Sequence, residues 1–504
     1  MQLIDDFLDK ITMYRLVLYY LIFLLGVADI FGFVGILHLN YLGLLFSILF
    51  LIAVCWITNK IFAKTFSAPT NVESVYLTAL ILALIISPAH SVQDMFFLFW
   101  AGVLSMSSKY ILALNRKHFF NPAAIAVVIT SLAGVGSASW WVGTLPMLPF
   151  VLFGLLIVRK IRRYELVMYF LLAAVMTIFL FSFMRNGNVL TPITQTFFTS
   201  AILFFAFTML TEPLTTPPTK NLQGIYGALV GVLFAPQFHL GSFFTTPELA
   251  LVIGNIYAYF VSPKEKLVAA VHEKVQTTPG MVDFIFLPEK KIKFLPGQYM
   301  EWTLPHKNTD ERGNRRYFTI ASSPTEDTLR LGVKFYPNSS SFKKSLLTMG
   351  KNDLIVGGQI SGDFVLPKDE TKRLVFIAGG IGITPFRSIV KYLLDTKQKR
   401  PITLFYVNKT EDEIIYKDIF DEATKELGIK VVYTLTDKDK APANWKGTVG
   451  RIDANMIASQ VPDYQDCIFY LSGPHAMVVA YEDTLKIMGV SGSHIKKDFF
   501  PGLV

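Results

Sequence analysis

The chain has 504 residues, 52% of them hydrophobic and 43 of them Phe, with a mean hydropathy of +0.44. That is too apolar for a water-soluble globular protein of this length, so part of the chain must lie in lipid. The formal charge of +9 falls mostly in loops and beyond about residue 263, without the interleaved basic and aromatic pattern of a nucleic-acid surface, so nucleic acid is not an expected partner. Cys55 and Cys467 are too few for an iron–sulfur cluster and do not form an attached-haem motif. No metal site is indicated, and any redox cofactor is expected to be organic.

From the start, Met1 to Lys10 carries three aspartates, and the apolar run behind it is long enough to span, with no small-residue cleavage site. The first helix is therefore expected to remain as an anchor. Apolar windows near 14–36, 41–58, 74–90, 95–113, 119–135, 142–158, 164–184, 195–211, 222–237 and 247–262 predict about ten spans. Lys10, Arg15, Lys60, Lys64, Arg116, Lys117, Arg159, Lys160, Arg162, Arg163, Lys220, Lys264 and Lys266 then fall on one side, with Arg185 alone on the other. Positive charge is retained on the cytoplasmic side, so both termini are expected in the cytoplasm of a cell with this protein in its inner (plasma) membrane.

Several windows are interrupted at Ser87-Pro88, Asn121-Pro122, Glu212-Pro213 and Pro217-Pro218. Each taken singly reads as a kink or a helix start. Taken as a pair, Thr78–Leu82 before Pro88 in the third window is echoed by Ser200–Phe204 before Pro213 in the eighth, five windows later. That suggests a five-plus-five inverted repeat with a site where broken helices meet, because backbone freed from a helix must find partners in protein, water or a ligand.

Thr78 to Pro88, Lys109, His118-Phe119-Phe120-Asn121-Pro122-Ala123-Ala124 and Met209-Leu210-Thr211-Glu212-Pro213-Leu214-Thr215-Thr216-Pro217 together carry a resemblance. Residues 14–262 resemble the membrane flavoprotein family that includes RnfD of the Rnf complex and its counterpart in the sodium-pumping NADH:quinone reductase. The resemblance implies a flavin, FMN or riboflavin, within the membrane region, with Asn121 and Thr215 as candidates to hold it. The family's flavin-attachment segment, Asp-x-x-Ser-Gly-Ala-Thr, is missing here, since the comparable loop reads Gly136-Ser137-Ala138-Ser139-Trp140-Trp141-Val142-Gly143-Thr144. Any flavin there is expected to be non-covalent, and Trp140 and Trp141 read as anchors at the lipid–water interface.

Beyond the linker Ser262-Pro263-Lys264 the grammar changes to short strands punctuated by Pro and Gly, and a compact antiparallel barrel is expected over 263–368. Arg316-Tyr317-Phe318-Thr319 alternates along a strand, placing Arg316 and Phe318 on one face and Tyr317 and Thr319 on the other. An arginine grips phosphate, an aromatic ring lies against isoalloxazine, and a hydroxyl bonds flavin N5. Pro296-Gly297-Gln298-Tyr299 precedes it, and Asn338 to Leu346 offers Ser340 and Ser341 at a helix start suited to phosphate. Lys334 is counted with them as a cofactor-binding candidate.

Residues 369–504 alternate strand and helix. Leu374–Ala378 feeds Gly379-Gly380-Ile381-Gly382-Ile383-Thr384-Pro385, in which glycines let backbone approach a pyrophosphate, Thr384 is expected to cap and Pro385 suits the first turn. Ile468–Leu471 feeds Ser472-Gly473-Pro474-His475-Ala476-Met477, while Asn408-Lys409-Thr410 ends another strand. The order of these motifs resembles the ferredoxin:NADP reductase superfamily, with Ser472 where the family carries cysteine. The resemblance implies FAD on the barrel and NADH or NADPH on the second lobe, with Thr319 and Ser472 catalytic. Gly380, Gly382, Thr384, Gly473, Pro474 and Met477 would contact the dinucleotide, and Phe500 would cover the flavin.

The expected protein is thus a ten-span helical membrane domain, 1–262, joined to a ferredoxin-reductase-like module. It would pass electrons from NAD(P)H through FAD, and through a second flavin, to a quinone or an extracytoplasmic acceptor. Two other readings stay open. A haem-type ferric reductase needs paired intramembrane histidines, whereas His38, His90, His118 and His239 all fall at window ends. A transporter with a redox-sensing tail would account for the repeat. Oligomeric state is not legible.

Overall fold

The computed structural model describes residues 7–8, 11–66, 72–114, 117–185, 187–236, 238–240, 243–262, 267–307, 309–310 and 313–498. They divide between Lys266 and Leu267 into two compact units.

The first unit is helical. Its main helices are α1 (Met13–Val34), α2 (Tyr41–Thr65), α3 (Val72–Ile85), α4 (Val92–Ile111), α5 (Pro122–Leu132), α6 (Leu155–Ile161), α7 (Tyr164–Met184), α8 (Leu190–Phe198), α9 (Lys220–Phe234) and α10 (Pro247–Val261). Local chemistry sets the helix starts. Asn40 accepts the Gly43 amide at 3.2 Å ahead of α2, and Ser91 and Asp94 cap each other's main chain ahead of α4. Among the described residues, α1, α2 and α7 are each long and apolar enough to cross a membrane, which makes them three candidate spans. Helix α8 and the stretch Ile202–Met209 would count as a fourth, bent by 61° and ending in a π turn, Phe205–Met209. The 142–158 window is a chain of short 3-10 and α turns, because Pro146 and Pro149 interrupt its hydrogen-bond ladder.

Tight packing joins α7 to α9. A Cβ on Gly231 would stand 2.3 Å from the Phe170 carbonyl oxygen, and one on Gly227 would stand 2.7 Å from that of Leu166. Small residues four apart thus let two backbones approach, the usual device of intramembrane helix pairs. Two hairpins punctuate the unit, β1 (Ala113–Leu114) with β2 (Lys117–His118) ahead of α5, and β3 (His239–Leu240) with β4 (Phe243–Phe244) ahead of α10. Each is followed by a side-chain N-cap and a Pro at the first helical position, Asn121-Pro122 and Thr246-Pro247.

Trp141 departs from the expected interface anchor. The Trp141 indole is buried and donates to the carbonyls of Ala83 and Ile86, both at 3.0 Å, while the amides of Ser139 and Trp140 both reach the Ile85 carbonyl at 2.9 Å. Helix α3 stops ahead of Pro88, so its last carbonyls lack helical donors, and this loop supplies them.

The second unit opens with an antiparallel sheet ordered β8-β7-β10-β5-β6-β9: β5 (Leu267–Thr278), β6 (Met281–Pro288), β7 (Tyr299–Thr303), β8 (Arg315–Thr319), β9 (Leu329–Lys334) and β10 (Leu354–Ser361). Its ends come together where the Ala321 amide donates to the Arg330 carbonyl at 3.0 Å, and Phe284, Phe286, Trp302 and Phe318 fill the interior. Helix α11 (Ser341–Thr348) covers one mouth, with Phe342 in the same core.

A parallel sheet follows, ordered β14-β13-β12-β11-β15-β16: β11 (Leu374–Gly379), β12 (Ile402–Asn408), β13 (Lys430–Leu435), β14 (Thr448–Val449), β15 (Ile468–Ser472) and β16 (Ile495–Lys497). Helices α12 (Thr384–Thr396) and α13 (Lys417–Leu427) cover one face, and α14 (His475–Ile487) the other. Strand order reverses between β11 and β15, and the crevice at the carboxyl ends of such strands is where open α/β sheets bind ligands.

Candidate active site

Three segments converge on that crevice: the end of β8, the glycine turn after β11 and the turn after β15. On β8, Arg316 and Phe318 point to one side, where the guanidinium lies 5.4 Å from the Phe342 ring centroid and the Phe318 ring 6.0 Å. The Phe318 ring therefore fills the barrel core and does not lie against a flavin as the motif suggested. Tyr317 points the other way, edge-on to Tyr299 at 5.7 Å, with its hydroxyl donating to Glu301 Oε2 at 2.9 Å.

Arg316 is buried at 1% exposure, and its guanidinium stands 3.7 Å from the Asp310 carboxylate. The Ser341 amide, at the start of α11, donates to the same carboxylate at 2.8 Å, and Ser340 caps the helix by accepting the Lys343 amide at 3.3 Å. Guanidinium and helix start thus already share one anion, and Asp310 demonstrates the kind of group this donor set accepts. The Ser341 hydroxyl is engaged by the Asp310 amide at 2.9 Å and by His306 Nε2 at 2.9 Å. Lys334, at the end of β9, forms an ion pair with Glu413 at 3.4 Å.

After β11, Gly380 has a φ of +53° and a Cβ there would meet nothing within 4 Å, so its surface is open. At Gly382 a Cβ would lie 2.5 Å from the Ser472 carbonyl, and the neighbouring Gly473 takes a φ of +156°. The glycine turn and the Ser-Gly-Pro turn cross at backbone contact there, which no side chain would permit. Met477 and Pro474 pack against Gly379 from behind. Thr384 departs from its expected capping role. It is the first residue of α12, with no side-chain cap, and its hydroxyl donates back to the Ile381 carbonyl at 3.2 Å. The 3-10 turn Gly380–Ile383 already leads the chain into the helix and leaves no N-cap position for it.

Asp498, which the motifs did not single out, completes the crevice. Its carboxylate accepts the Ser472 hydroxyl at 2.9 Å and is also hydrogen-bonded by Thr319. Burial pushes the Asp498 carboxyl up to about 7, against the lowering effect of those two hydroxyls. Its position one residue beyond β16, itself paired to β15, was the available signal. Phe500 lies outside the described residues. At the end of β12 the Asn408 carboxamide, buried beside the Tyr406 phenol, has no well-formed hydrogen bond. A polar group left so at the carboxyl edge of the sheet, together with the open Gly380 surface and the anion position at Arg316, fits a flavin and a dinucleotide.

The first unit holds a second polar cluster. Asn121 caps α5 by accepting the Ala124 amide at 3.1 Å and donates from Nδ2 to Glu212 Oε2 at 2.8 Å. Its own amide donates to Asn255 Oδ1 at 2.8 Å, and Asn255 Nδ2 reaches the Thr215 carbonyl at 3.3 Å. Arg163 bonds Thr216 and the Thr211 carbonyl. Asn121 and Thr215, 94 residues apart by numbering, thus meet around Glu212 where the eighth window breaks. Among the described residues no group of His, Cys, Asp and Glu is arranged to hold a metal ion.

Residues 135–265 match the NQR2, RnfD, RnfE family, and residues 376–483 match the oxidoreductase NAD-binding domain. Among curated relatives, the flavohemoprotein of Bacillus cereus is 27% identical over 242 residues, covering 46% of this chain and 60% of that protein. NADH-cytochrome b5 reductase 1 of Mortierella alpina is 29% identical over 236 residues, 45% of this chain and 77% of its own. The F subunit of the Na(+)-translocating NADH-quinone reductase of Yersinia pestis is 32% identical over 149 residues, 28% of this chain and 37% of its own. The match thus spans less than two thirds of the flavohemoprotein and of the Yersinia protein. Among solved structures, the Amycolatopsis cytochrome P450 reductase GcoB covers 47% of this chain and 70% of its own, at 25% identity and a TM-score of 0.42. This chain therefore joins a membrane region matching the NQR2, RnfD, RnfE family to a flavin-reductase-like module with an oxidoreductase NAD-binding domain.

Proposed function

We propose that this protein is a membrane-bound oxidoreductase that moves electrons from NADH or NADPH, through FAD, into or across the bilayer. The observation that carries this reading is the meeting of Thr319, Ser472 and Asp498 at the crevice between the two sheets. When bound, the nicotinamide supplies a hydride and the flavin accepts it as a pair of electrons that can leave singly. The chain's own part is binding, orientation and proton handling. Arg316, with Ser340 and Ser341, would hold phosphate, Tyr317 and the Phe318 main chain would line the flavin ring, and Lys334 would add positive charge nearby. Gly380, Gly382 and Thr384 would admit the dinucleotide, and Gly473, Pro474 and Met477 would back its nicotinamide. Thr319 and Ser472 present hydroxyls to the reacting atoms, and Asp498 keeps a proton available to both near neutral pH.

In this reading residues 1–262 are the membrane domain, 263–368 the FAD barrel and 369–504 the NAD(P) lobe, in an inner membrane with both termini cytoplasmic. The paired hairpins ahead of α5 and α10 support ten spans arranged as a five-plus-five inverted repeat. Electrons crossing a hydrocarbon layer of about 30 Å need an intermediate carrier. A non-covalent second flavin at Asn121 and Thr215 would serve, delivering to a quinone or an extracytoplasmic acceptor.

The test is the absorption spectrum and flavin content of the detergent-purified full chain. Two flavins per chain and oxidation of NADH or NADPH are expected. One FAD alone removes the second carrier, a Soret band refutes the reading in favour of a haem reductase, and colourless protein that oxidises neither nucleotide refutes it outright.

A further inference from the structure

The first turn of α12, directly behind the glycine turn, is bound to three segments of the flavin barrel. Arg387, 3% exposed, donates through two nitrogens to Glu326, at 2.7 and 2.9 Å, and also to the Ala321 carbonyl at 2.8 Å. The next residue, Ser388, donates to the Ser322 carbonyl at 2.7 Å and accepts the Gly297 amide at 3.4 Å. Glu326 in turn accepts the Ser323 amide at 2.6 Å. One turn earlier on the same side, Thr384 packs so closely on Gly332 that a Cβ there would stand 2.9 Å from its methyl.

Ala321, Ser322 and Ser323 follow Thr319 by two to four residues, and Gly297 belongs to the Pro-Gly-Gln-Tyr segment paired with β8 through Ile320 and Gln298 at 3.0 Å. Arg387 and Ser388 follow Gly382 by five and six residues. The bonds therefore tie the strand that ends at Thr319 to the helix that begins at the glycine turn. A bidentate guanidinium–carboxylate pair has fixed geometry, unlike a lysine point charge. Here the guanidinium is buried and the carboxylate half-buried, with Arg330 also 3.8 Å from Glu326, so losing Arg387 leaves Glu326 only that looser arginine.

We propose that Arg387, Glu326 and Ser388 form a positioning clamp that sets the separation of the flavin and nicotinamide subsites, and so the rate of hydride transfer rather than the affinity for the dinucleotide. This rests on the reductase reading above. Misplacement of reacting atoms by about 1 Å can cost on the order of a hundredfold in rate, whereas Arg387 and Ser388 direct their side-chain hydrogen bonds to the barrel.

The experiment uses the full chain in detergent, comparing wild type with Arg387→Lys, Arg387→Met and Ser388→Ala. Anaerobic stopped-flow reduction by NADH or NADPH gives the limiting reduction rate and the apparent Kd, and hydrogen exchange of residues 320–323 gives a readout independent of turnover. The limiting rate should fall at least tenfold in Arg387→Met and less in Arg387→Lys. Apparent Kd should change under threefold, flavin content should hold, and exchange of the 320–323 amides should rise in the same order. Should Arg387→Met not fold, the lysine and Ser388→Ala variants decide by the same ranking. A limiting rate within twofold of wild type in flavin-replete variants, or a loss carried wholly by Kd, overturns the clamp. Wild type that binds no flavin or oxidises neither nucleotide overturns the reductase reading instead.

Discussion

Asn121 donates to Glu212 across 91 residues of sequence, at 2.8 Å, while the same side chain caps α5. One carboxamide thus closes a helix start and holds the carboxylate that follows the broken stretch Ile202–Met209. Asn121→Ala removes both bonds, and loss of the cap alone costs about 1 kcal/mol. Its melting temperature should fall by a few degrees, and any flavin retained by the first unit should be lost. Asn121→Asp keeps an oxygen for the Ala124 amide but faces Glu212 with a second carboxyl, so it should keep the cap and still lose the flavin. Equal flavin content in wild type and both variants would remove this cluster as the second carrier's site.

Asp498 gives a pH prediction of definite sign. Its folded carboxyl titrates near 7, above the ordinary aspartate value of about 4, so the folded state holds an extra proton between those limits. Its contribution to stability is complete below pH 4 and is lost as pH rises through 7. Asp498→Asn can still accept the Ser472 hydroxyl but cannot titrate. Between pH 5 and 8 the wild type should lose more melting temperature than the variant. Flavin reduction by the wild type should show an inflection near pH 7 that Asp498→Asn lacks, with the variant's rate down about a hundredfold. An unchanged inflection would assign it to another group.

Gly382 cannot accept a side chain while the turn after β15 keeps its place, since a Cβ would sit 2.5 Å from the Ser472 backbone. Gly382→Ala should push the two turns apart and cut reduction by NADH or NADPH at least tenfold. Reduction of the same flavin by dithionite should be unaffected. Parallel loss of both reactions would mean that the barrel itself had been damaged.

Trp141 carries a stability prediction for the first unit. Trp141→Phe keeps most of the ring but removes the indole donor from the Ala83 and Ile86 carbonyls. A buried acceptor stripped of its partner costs about 1–3 kcal/mol, so a lower thermal midpoint with unaltered NAD(P)H oxidation by a soluble dye is expected. No change in midpoint would mean that the end of α3 finds other donors.

The division into apolar helix and nucleotide module was legible from composition and local motifs alone, because lipid demands long apolar runs and phosphate demands glycine turns and helix starts. Arg316-Tyr317-Phe318-Thr319 and the turns after β11 and β15 are local patterns of that kind. What depends on which segments meet in space was not legible. Asp498 has no motif, and it matters only because β16 pairs with β15 and carries it to Ser472. The role of Trp141 depends on carbonyls 55 and 58 residues away, and that of Glu326 on an arginine 61 residues further on. Thr384 read as a cap because Thr before Pro commonly is one, yet the preceding 3-10 turn had taken that position. Sequence sets what each segment prefers by itself, whereas burial and hydrogen-bond partners are properties of the assembled fold.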